Sequence, residues 1–418
     1  MPEFLKVKTA EEVLALVDRI APLGEETVPL EAAAGRVVSR DIHAAIDVPH
    51  FRRAVMDGYA VRARDTFGAT ESLPALLRVV GEVFMGKPAE SAVGPGEAVI
   101  VPTGGAIPEG ADAVVMVEYT QDVGDGTIEV TRPVAPGDNI VEPGDDIAQG
   151  SPLFRAGWPL RSQDVGVLAA VGLRSVPVFR PPRVAILSTG DEIVSPETDP
   201  VPVGKIRDIN TFVLAAQVRE AGGLPGLRRV VPDDLERLAV ECVQALTDHD
   251  VVLLSGGSSV GVRDYTVQVL ERLSGAELLV HGVAIRPGKP TILARLGAKI
   301  LWGLPGQPAS AMIVFTAFVR PSLLRLQGVD PALRPKTHTS RAVLRRNMPS
   351  VHGRADYIRV RLLEEDGTVW ADPVFGGSAM ISSLSQADGY VIVPEHVEGY
   401  EAGTPVTVHL FGMESLTA

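Results

Sequence analysis

The chain has 418 residues, with 39 Lys and Arg against 52 Asp and Glu and a formal net charge of -13 at pH 7. That length exceeds one ordinary core and implies roughly two to four domains, and that charge argues against general nucleic-acid binding, which needs a basic surface facing the phosphates. A single cysteine, Cys242, excludes an internal disulfide framework and any cysteine-rich zinc or iron–sulfur site.

The N-terminal stretch Met1–Leu16 is charged and carries no signal-peptide pattern. No run reaches the roughly 20 apolar residues needed to span a bilayer, so a cytoplasmic protein without membrane contact is expected. A first helix is expected to open at Thr9, with Glu12 closing a capping box and Val13, Leu14, Leu16, Val17 and Ile20 forming its apolar stripe. From Val28 to Val178 short apolar runs such as Leu77–Val80, Ala98–Pro102, Ala113–Val117 and Thr127–Val130 alternate with turns such as Gly124-Asp125-Gly126, which indicates one or two β-rich units. Within this region Asp57-Gly58, set between apolar residues, reads as a hairpin turn, and Pro102-Thr103-Gly104 as a turn with one hydroxyl.

After Pro181-Pro182 strands and helices alternate. Strands are expected at Val184–Ser188, Arg229–Val231, Asp250–Ser255 and Ile300–Leu304, and helices at Asn210–Ala221, Asp233–Leu246 and Ala309–Leu326. That alternation indicates a parallel, doubly wound α/β sheet, whose ligands gather at the carboxyl ends of the strands. Cys242 falls in the second helical pattern and reads as a small buried apolar residue. From Pro331 onward the period returns to two, as in Tyr357–Leu362. A hairpin turn at Asp366-Gly367 and strands near Tyr390–Val393 and Pro405–Leu410 indicate a small C-terminal barrel.

Three segments of the α/β region carry unusual chemistry. Ser188-Thr189-Gly190-Asp191-Glu192 ends a strand in two hydroxyls, a glycine that permits close approach, and two carboxylates; Asp191 could equally cap a loop. Ser255-Gly256-Gly257-Ser258-Ser259-Val260-Gly261 exposes backbone N–H groups suited to phosphate, but lacks the Gly-Lys-Ser/Thr of a P-loop. Arg286-Pro287-Gly288-Lys289-Pro290 stiffens a turn bearing two cations, a preformed anion clamp. It combines with Pro305-Gly306-Gln307-Pro308 before a helix N-terminus, where each anion gains about 0.3–1 kcal/mol. The expectation is that all three lie in register on one sheet. Asp233, with Glu236 three residues on, reads either as a helix cap or as a ligand. The eight histidines show no metal-ligand spacing, and no Ser or Cys sits in a nucleophile elbow.

In chain order these motifs resemble the molybdopterin molybdenumtransferase family, which includes bacterial MoeA-type proteins. The matching pieces are Met56-Asp57-Gly58-Tyr59-Ala60, Pro102-Thr103-Gly104, Gly137-Asp138-Asn139, Gly144-Asp145-Asp146-Ile147 and Ser188–Glu192. They continue through Ser255–Gly261, Asp264-Tyr265, Pro287-Gly288-Lys289-Pro290 and Leu304-Pro305-Gly306. The resemblance spans nearly the whole chain and implies a multidomain fold. Its parts are an elongated scaffold (1–47 and 140–178), an inserted β-rich domain (48–139), a doubly wound pterin-binding α/β domain (179–328) and a C-terminal β-barrel (329–418).

It also implies a homodimer with each active site between subunits, and insertion of molybdate into adenylated molybdopterin with release of AMP, assisted by Mg2+. Carried over residue by residue, Asp57, Glu192, Asp264 and Lys289 are catalytic. Thr103, Ser188, Thr189, Gly190, Ser255, Gly256, Gly257, Arg286, Pro305, Pro308, Arg354 and Ser378 bind substrate. Asp146, Glu192, Asp233 and Asp264 hold the metal, hard oxygen donors being suited to magnesium. A pterin-adenylating enzyme and molybdoenzyme acceptors are the expected partners. The chain departs from the family at Val141, where Arg is usual, at Arg286, where Lys occurs, and at Gln307, where Asn is usual. Two other readings were weighed: a pterin adenylyltransferase, which shares the Ser-Gly-Gly and Leu-Pro-Gly signatures but is much shorter, and a non-catalytic cofactor carrier or scaffold. A tungstate-directed variant of the same reaction has the same sequence signature.

Overall fold

The computed structural model describes residues 7–256, 261–334 and 338–411, with the side chains of 261–264 outside that description. Helix α1 (Ala10–Asp18) opens with the expected capping box. The Glu12 N–H donates to Thr9 Oγ1 at 3.2 Å and the Thr9 N–H to the Glu12 carboxylate at 2.8 Å. Val13 and Val17 are fully buried.

The chain then lays down β1 (Glu25–Pro29), β2 (Ile42–His43) and β3 (Arg53–Ala54) before an excursion. That excursion comprises β4 (Gly58–Val61), β5 (Ala75–Glu82), β6 (Glu97–Val101), β7 (Ala113–Met116), β8 (Thr120–Gly124) and β9 (Thr127–Val130), in one sheet of order β7-β4-β6-β5-β9-β8. Its two faces are buried by alternate residues of the same strands: Val61, Ala98 and Val115 on one, Ala60, Val99 and Val114 on the other. The chain returns through β10 (Ile140–Val141), β11 (Pro152–Phe154), helix α2 (Ser162–Ala170) and β12 (Ser175–Phe179). These strands pair antiparallel with β3, β2 and β1 respectively, so the pairs are nested. The turn at Gly124-Asp125-Gly126 joins β8 to β9 as expected, with Asp125 and Gly126 at φ 54° and 71°.

The expected hairpin at Asp57-Gly58 does not form. Strand β3 pairs with β10, whereas β4 pairs with β6 and β7, so the bend at Asp57 carries the chain from one sheet to another. Gly58 is needed for packing rather than for a turn: a Cβ there would stand 2.0 Å from the Val115 carbonyl oxygen.

The α/β region begins with β13 (Arg183–Thr189), followed by the short pair β14 (Ile193–Val194) and β15 (Ile206–Arg207). Then come α3 (Asn210–Glu220), β16 (Leu224–Val231), α4 (Leu235–Asp248), β17 (Val251–Gly256), α5 (Gly261–Arg272), β18 (Ala276–His281), β19 (Ile285–Arg286), β20 (Ile292–Leu296), β21 (Lys299–Leu304), α6 (Pro308–Val314) and α7 (Arg320–Leu326). The sheet order is β16-β13-β17-β21-β20-β18. Continuous apolar runs reflect burial on both faces: Ile186 and Leu253 join α3 and α7 residues on one side, Leu187 and Leu254 join α4 and α5 residues on the other. The expectation of a wholly parallel sheet is corrected at one edge. Strand β20 runs antiparallel to both its neighbours, β21 and β18, because the short turn at Gly297-Ala298 joins β20 directly to β21 and only antiparallel strands can be so joined. Residues Pro308–Leu326 form one helical stretch, through a π-helical turn at Phe315–Val319. The stretch is apolar enough to cross a membrane by length and composition, but 67% of its most apolar window is buried in the protein, where Phe315, Phe318 and Leu323 fill the core.

The C-terminal strands are β22 (Thr339–Leu344), β23 (Met348–Pro349), β24 (Ala355–Glu365), β25 (Thr368–Pro373), β26 (Gly389–Val393), β27 (Gly399–Tyr400) and β28 (Pro405–Leu410), with a one-turn helix α8 (Ser382–Ser385). The order β24-β25-β22-β28-β26 closes on itself because β26 also pairs with β24, giving a five-stranded barrel filled by Leu344, Val360, Val391 and Val408. The hairpin turn at Asp366-Gly367 forms as expected. The chain is thus multidomain: an extended N-terminal scaffold, an inserted β-rich domain, a doubly wound α/β domain and a small β-barrel.

Candidate functional site

The carboxyl ends of β13, β17 and β21 lie side by side, with Ser188 opposite Ser255 and Ser255 opposite Leu304. Ser188, Thr189 and Ser255 are at most 1% exposed, so their hydroxyls need partners inside the protein. Sequence reasoning missed the residue that supplies one. Asn210, the first residue of α3, donates from Nδ2 to Ser255 Oγ at 2.7 Å and to the Gly306 carbonyl at 2.8 Å. Ser255 Oγ in turn faces the Pro305 carbonyl at 3.4 Å. This amide ties the end of β17 to the Leu-Pro-Gly turn, and with both donors used its buried Oδ1 has no hydrogen-bond partner among the described residues, nor has Ser188 Oγ. Two unpaired buried acceptors at a strand-end crevice are where a ligand's N–H or O–H groups fit. The available signal was Asp208-Ile209-Asn210-Thr211, in which Asp208 accepts from the Thr211 N–H at 3.1 Å and so starts the helix.

Carboxylates gather beside these hydroxyls. Thr189 Oγ1 donates to Asp233 Oδ1 at 2.5 Å, and the Asp233 N–H donates to Asp191 Oδ1 at 3.1 Å. The expected capping role of Asp233 is corrected by one position. Asp234 is the N-cap of α4, accepting from the Arg237 N–H at 2.8 Å, and this frees the Asp233 carboxylate to face β13. Asp191 caps no helix; its backbone carbonyl accepts from Lys205 Nζ at 2.7 Å. Glu192 folds its carboxylate back over Gly190, where an added Cβ would stand 2.6 Å from Oε2. Gly257 and the side chain of Asp264 lie outside the described residues. Among the described residues no group of three or more His, Cys, Asp or Glu is arranged to hold a metal. Asp146 is exposed on the scaffold, its N–H bonded to the Val48 carbonyl at 3.1 Å, and among the described residues no hydrogen bond or ion pair joins it to Glu192 or Asp233.

The third segment departs from expectation. Pro305-Gly306-Gln307-Pro308 follows β21 as expected, whereas Arg286 belongs to β19, which pairs in parallel with β24 of the barrel, so only this half of the segment leaves the α/β sheet. The turn still packs against the site's helix: a Cβ on Gly288 would stand 2.6 Å from Val314 Cγ2 at the end of α6. Arg286 Nη1 lies 3.7 Å from Asp356 Oδ2 and Arg354 Nε lies 3.2 Å from Asp356 Oδ1, so two expected anion binders share one carboxylate. Lys289 is exposed and makes no ion pair among the described residues. Pro308 is the first residue of α6, and the Ala309 N–H donates to the Ser378 carbonyl at 3.1 Å, which brings the Ser378 loop over the same helix start. Buried Arg359 anchors that loop by donating to the Gly376 carbonyl at 2.8 Å.

A second polar site lies on the inserted sheet. Asp57 Oδ1 accepts from the Thr103 N–H at 2.7 Å and from Thr103 Oγ1 at 2.8 Å. The backbone donor first, then the hydroxyl, hold this carboxyl below the usual range. Among the described residues no hydrogen bond or ion pair joins this pair to the α/β strand ends. Val141 stands in β10 opposite exposed Arg53, and Glu142 pairs with Arg52 at 2.9 Å, so cations border the position where the resemblance leads one to expect an arginine.

Buried hydroxyls, a fixed amide and carboxylates stand together at the carboxyl edge of an α/β sheet, where enzymes of the open α/β class hold their ligands. Comparison with known proteins gives this class a family. Residues 5–172 match the MoeA N-terminal region (domain I and II), residues 185–325 a probable molybdopterin binding domain, and residues 341–411 the MoeA C-terminal region (domain IV). The molybdopterin molybdenumtransferase of Bacillus subtilis (strain 168) is 35% identical over 410 residues, 97% of this chain and 94% of that one. Molybdopterin molybdenumtransferase 2 of Mycobacterium tuberculosis is 35% identical over 391 residues, 91% and 94% of the two chains. The crystal structure of the molybdopterin biosynthesis moeA protein from Pyrococcus horikosii superposes with a TM-score of 0.82 at 40% identity, covering 98% of this chain and 100% of that one. The chain belongs to the molybdopterin molybdenumtransferase (MoeA) family.

Proposed function

We propose that this chain is a transferase that inserts molybdate into adenylated molybdopterin and releases AMP, the final step of molybdenum cofactor biosynthesis. The carrying observation is the cluster of strand ends, where Asn210 Oδ1 and Ser188 Oγ, without hydrogen-bond partners among the described residues, accompany the Thr189–Asp233 pair. Near-full-length likeness to proteins named molybdopterin molybdenumtransferase supports it. In this reading Ser188, Thr189, Gly190, Ser255, Gly256, Gly257, Pro305 and Pro308 form the pterin-phosphate cradle. Arg286, Lys289, Arg354 and Ser378 face the anionic groups.

The reading includes Mg2+ held by Glu192, Asp233 and Asp264, with Asp146 from elsewhere. The donor chemistry fits, since magnesium binds through one or two carboxylates plus substrate phosphates and keeps several waters, and so needs no three-carboxylate cluster within the described residues. When bound it supplies charge neutralisation on the bridging phosphate oxygens. The protein's own part is to hold the phosphoanhydride in line beside these carboxylates.

We also propose a homodimer in which Asp57 and Thr103 complete the partner's site; their lack of a bonded link to the α/β strand ends within one chain supports it. Unit limits of 1–47 with 140–178, 48–139, 179–328 and 329–418, a cytoplasmic setting, and hand-over from a pterin-adenylating enzyme to molybdoenzyme acceptors complete the reading. The test is to mix the protein with adenylated molybdopterin, magnesium and molybdate and follow AMP and active cofactor together. Molybdate-dependent AMP release with cofactor formation is expected; tight pterin binding without AMP release would replace the transferase with a carrier.

A further inference from the structure

Asp356 is 2% exposed and stands at the second position of β24, in register with Arg286 across the β19–β24 pair. That register is pinned by the Ala355 N–H donating to the Ala284 carbonyl at 2.9 Å. A buried carboxylate without full hydrogen bonding is costly unless cations compensate it. Among the described residues the Oδ1 has no hydrogen-bond partner, nor has the buried Arg354 Nε that lies 3.2 Å away, so these are charge contacts rather than directed bonds. Neither arginine forms an ion pair with any other carboxylate among the described residues. Their side chains are 61% and 36% exposed, so N–H donors on both guanidiniums remain open to solvent. Two free guanidiniums would repel one another; one carboxylate buried beneath them gathers both and leaves the group with a net positive charge.

We infer that Asp356 is a positioning residue which holds Arg286 and Arg354 as a two-guanidinium clamp for a tetrahedral oxyanion, either free molybdate or a phosphate of the substrate. The geometry suits that ligand class, because the planar fork of each arginine presents parallel donors to oxyanion oxygens. The clamp joins residues from the two sides of the α/β–barrel junction, since β19 lies between strands of the α/β sheet in sequence and β24 is a barrel strand. The inference deepens the proposed reaction by naming the residue that positions its two anion-binding arginines, and rests on that reading for the substrate's identity.

Calorimetry with molybdate alone, and with inorganic phosphate alone, tests it on the full chain. Asp356→Ala is expected to weaken the anion that the clamp holds by about ten-fold, although loss of a negative charge by itself would tighten anion binding. The anion affected names the source. In an Arg286→Gln, Arg354→Gln background the same substitution should add nothing, the mark of a residue acting through its neighbours. With substrate, the loss should fall on KM for molybdate or for the pterin far more than on kcat. Asp356→Asn, the same shape without the charge, is expected to move in the same direction and serves if the alanine variant does not fold in a thermal melt. Unchanged or tighter binding of both anions, or a full further loss in the arginine-free background, overturns the clamp. Wild-type protein that releases no AMP yet shows the expected pattern sinks the proposed reaction alone; active protein whose Asp356 variants bind as wild type sinks the clamp alone.

Discussion

At the end of β17, Ser255 is wholly buried and locked between the Asn210 amide and the Pro305 carbonyl, whereas in the bend before β4 Asp57 is exposed and held by a single threonine. Both arrangements present oxygen atoms at fixed positions, but they are stabilised differently. The buried set draws on the packing of three strands and a helix, so breaking it leaves donors and acceptors stranded where water cannot reach. The exposed pair lets water replace any bond it loses, and its effect is confined to the charge and direction of one carboxylate. Chemistry at the strand ends is therefore tied to stability, and chemistry at Asp57 is separable from it.

The largest effect expected separates catalysis from folding within the α/β region. Glu192→Ala, or Asp264→Ala, should lower turnover about 100-fold if these carboxylates act on transition-state charge. Glu192 is half-buried and its side chain makes no hydrogen bond or ion pair among the described residues, so its variant should melt like the wild type. Near-normal turnover removes the residue from the mechanism.

Next in size is Asn210→Ala, expected to cost about 1–3 kcal/mol in urea unfolding because Ser255 and the Gly306 carbonyl lose their shared donor; an unchanged midpoint would break the contrast between the two regions. On the exposed side, Thr103→Val should leave that midpoint unaltered. It should instead raise the Asp57 carboxyl toward its ordinary value, as read by NMR titration. The sign follows from the depressed folded value: whatever Asp57 contributes is present above the unfolded value and is lost as pH falls through the folded one. In the valine variant that contribution is smaller and its loss is complete at a higher pH. The smallest effect concerns Cys242, whose thiol is pushed up to about 12 by burial, then by nearby Glu241. Thiol reagents should leave the native protein unlabelled and react on unfolding.

Much of this contrast was legible in the sequence. The runs of β13, β17 and β21 announce two-sided burial, and Thr9 with Glu12 announces a helix start, because both signals are local. Of the two readings of Asp233, the cap falls instead to Asp234, since the two residues are equally good caps and only the path out of β16 decides between them. The Asp57-Gly58 hairpin failed for the same kind of reason: the pattern is right for a turn, but β4 is claimed by β6 and β7 from far along the chain. Arg286 was read as an anion binder without the pairing of β19 with the barrel, a register between residues distant in sequence. Asn210 was passed over because its value lies in two partners, Ser255 and Gly306, that no spacing rule connects to it.

The nested pairing of β1, β2 and β3 with β12, β11 and β10 has a bearing on assembly order. Each inner pair shortens the loop that the next outer pair must close, and closing a long loop carries an entropic penalty that grows with its length. The scaffold is thus expected to zip outward from β3–β10 once the sheet between Val55 and Asn139 has condensed, and not inward from its ends. Pulse-labelling hydrogen exchange during refolding should find the amides of β4 and β6 protected before those of β1 and β12. Protection in the reverse order would mean that the scaffold forms first and the insert folds within it.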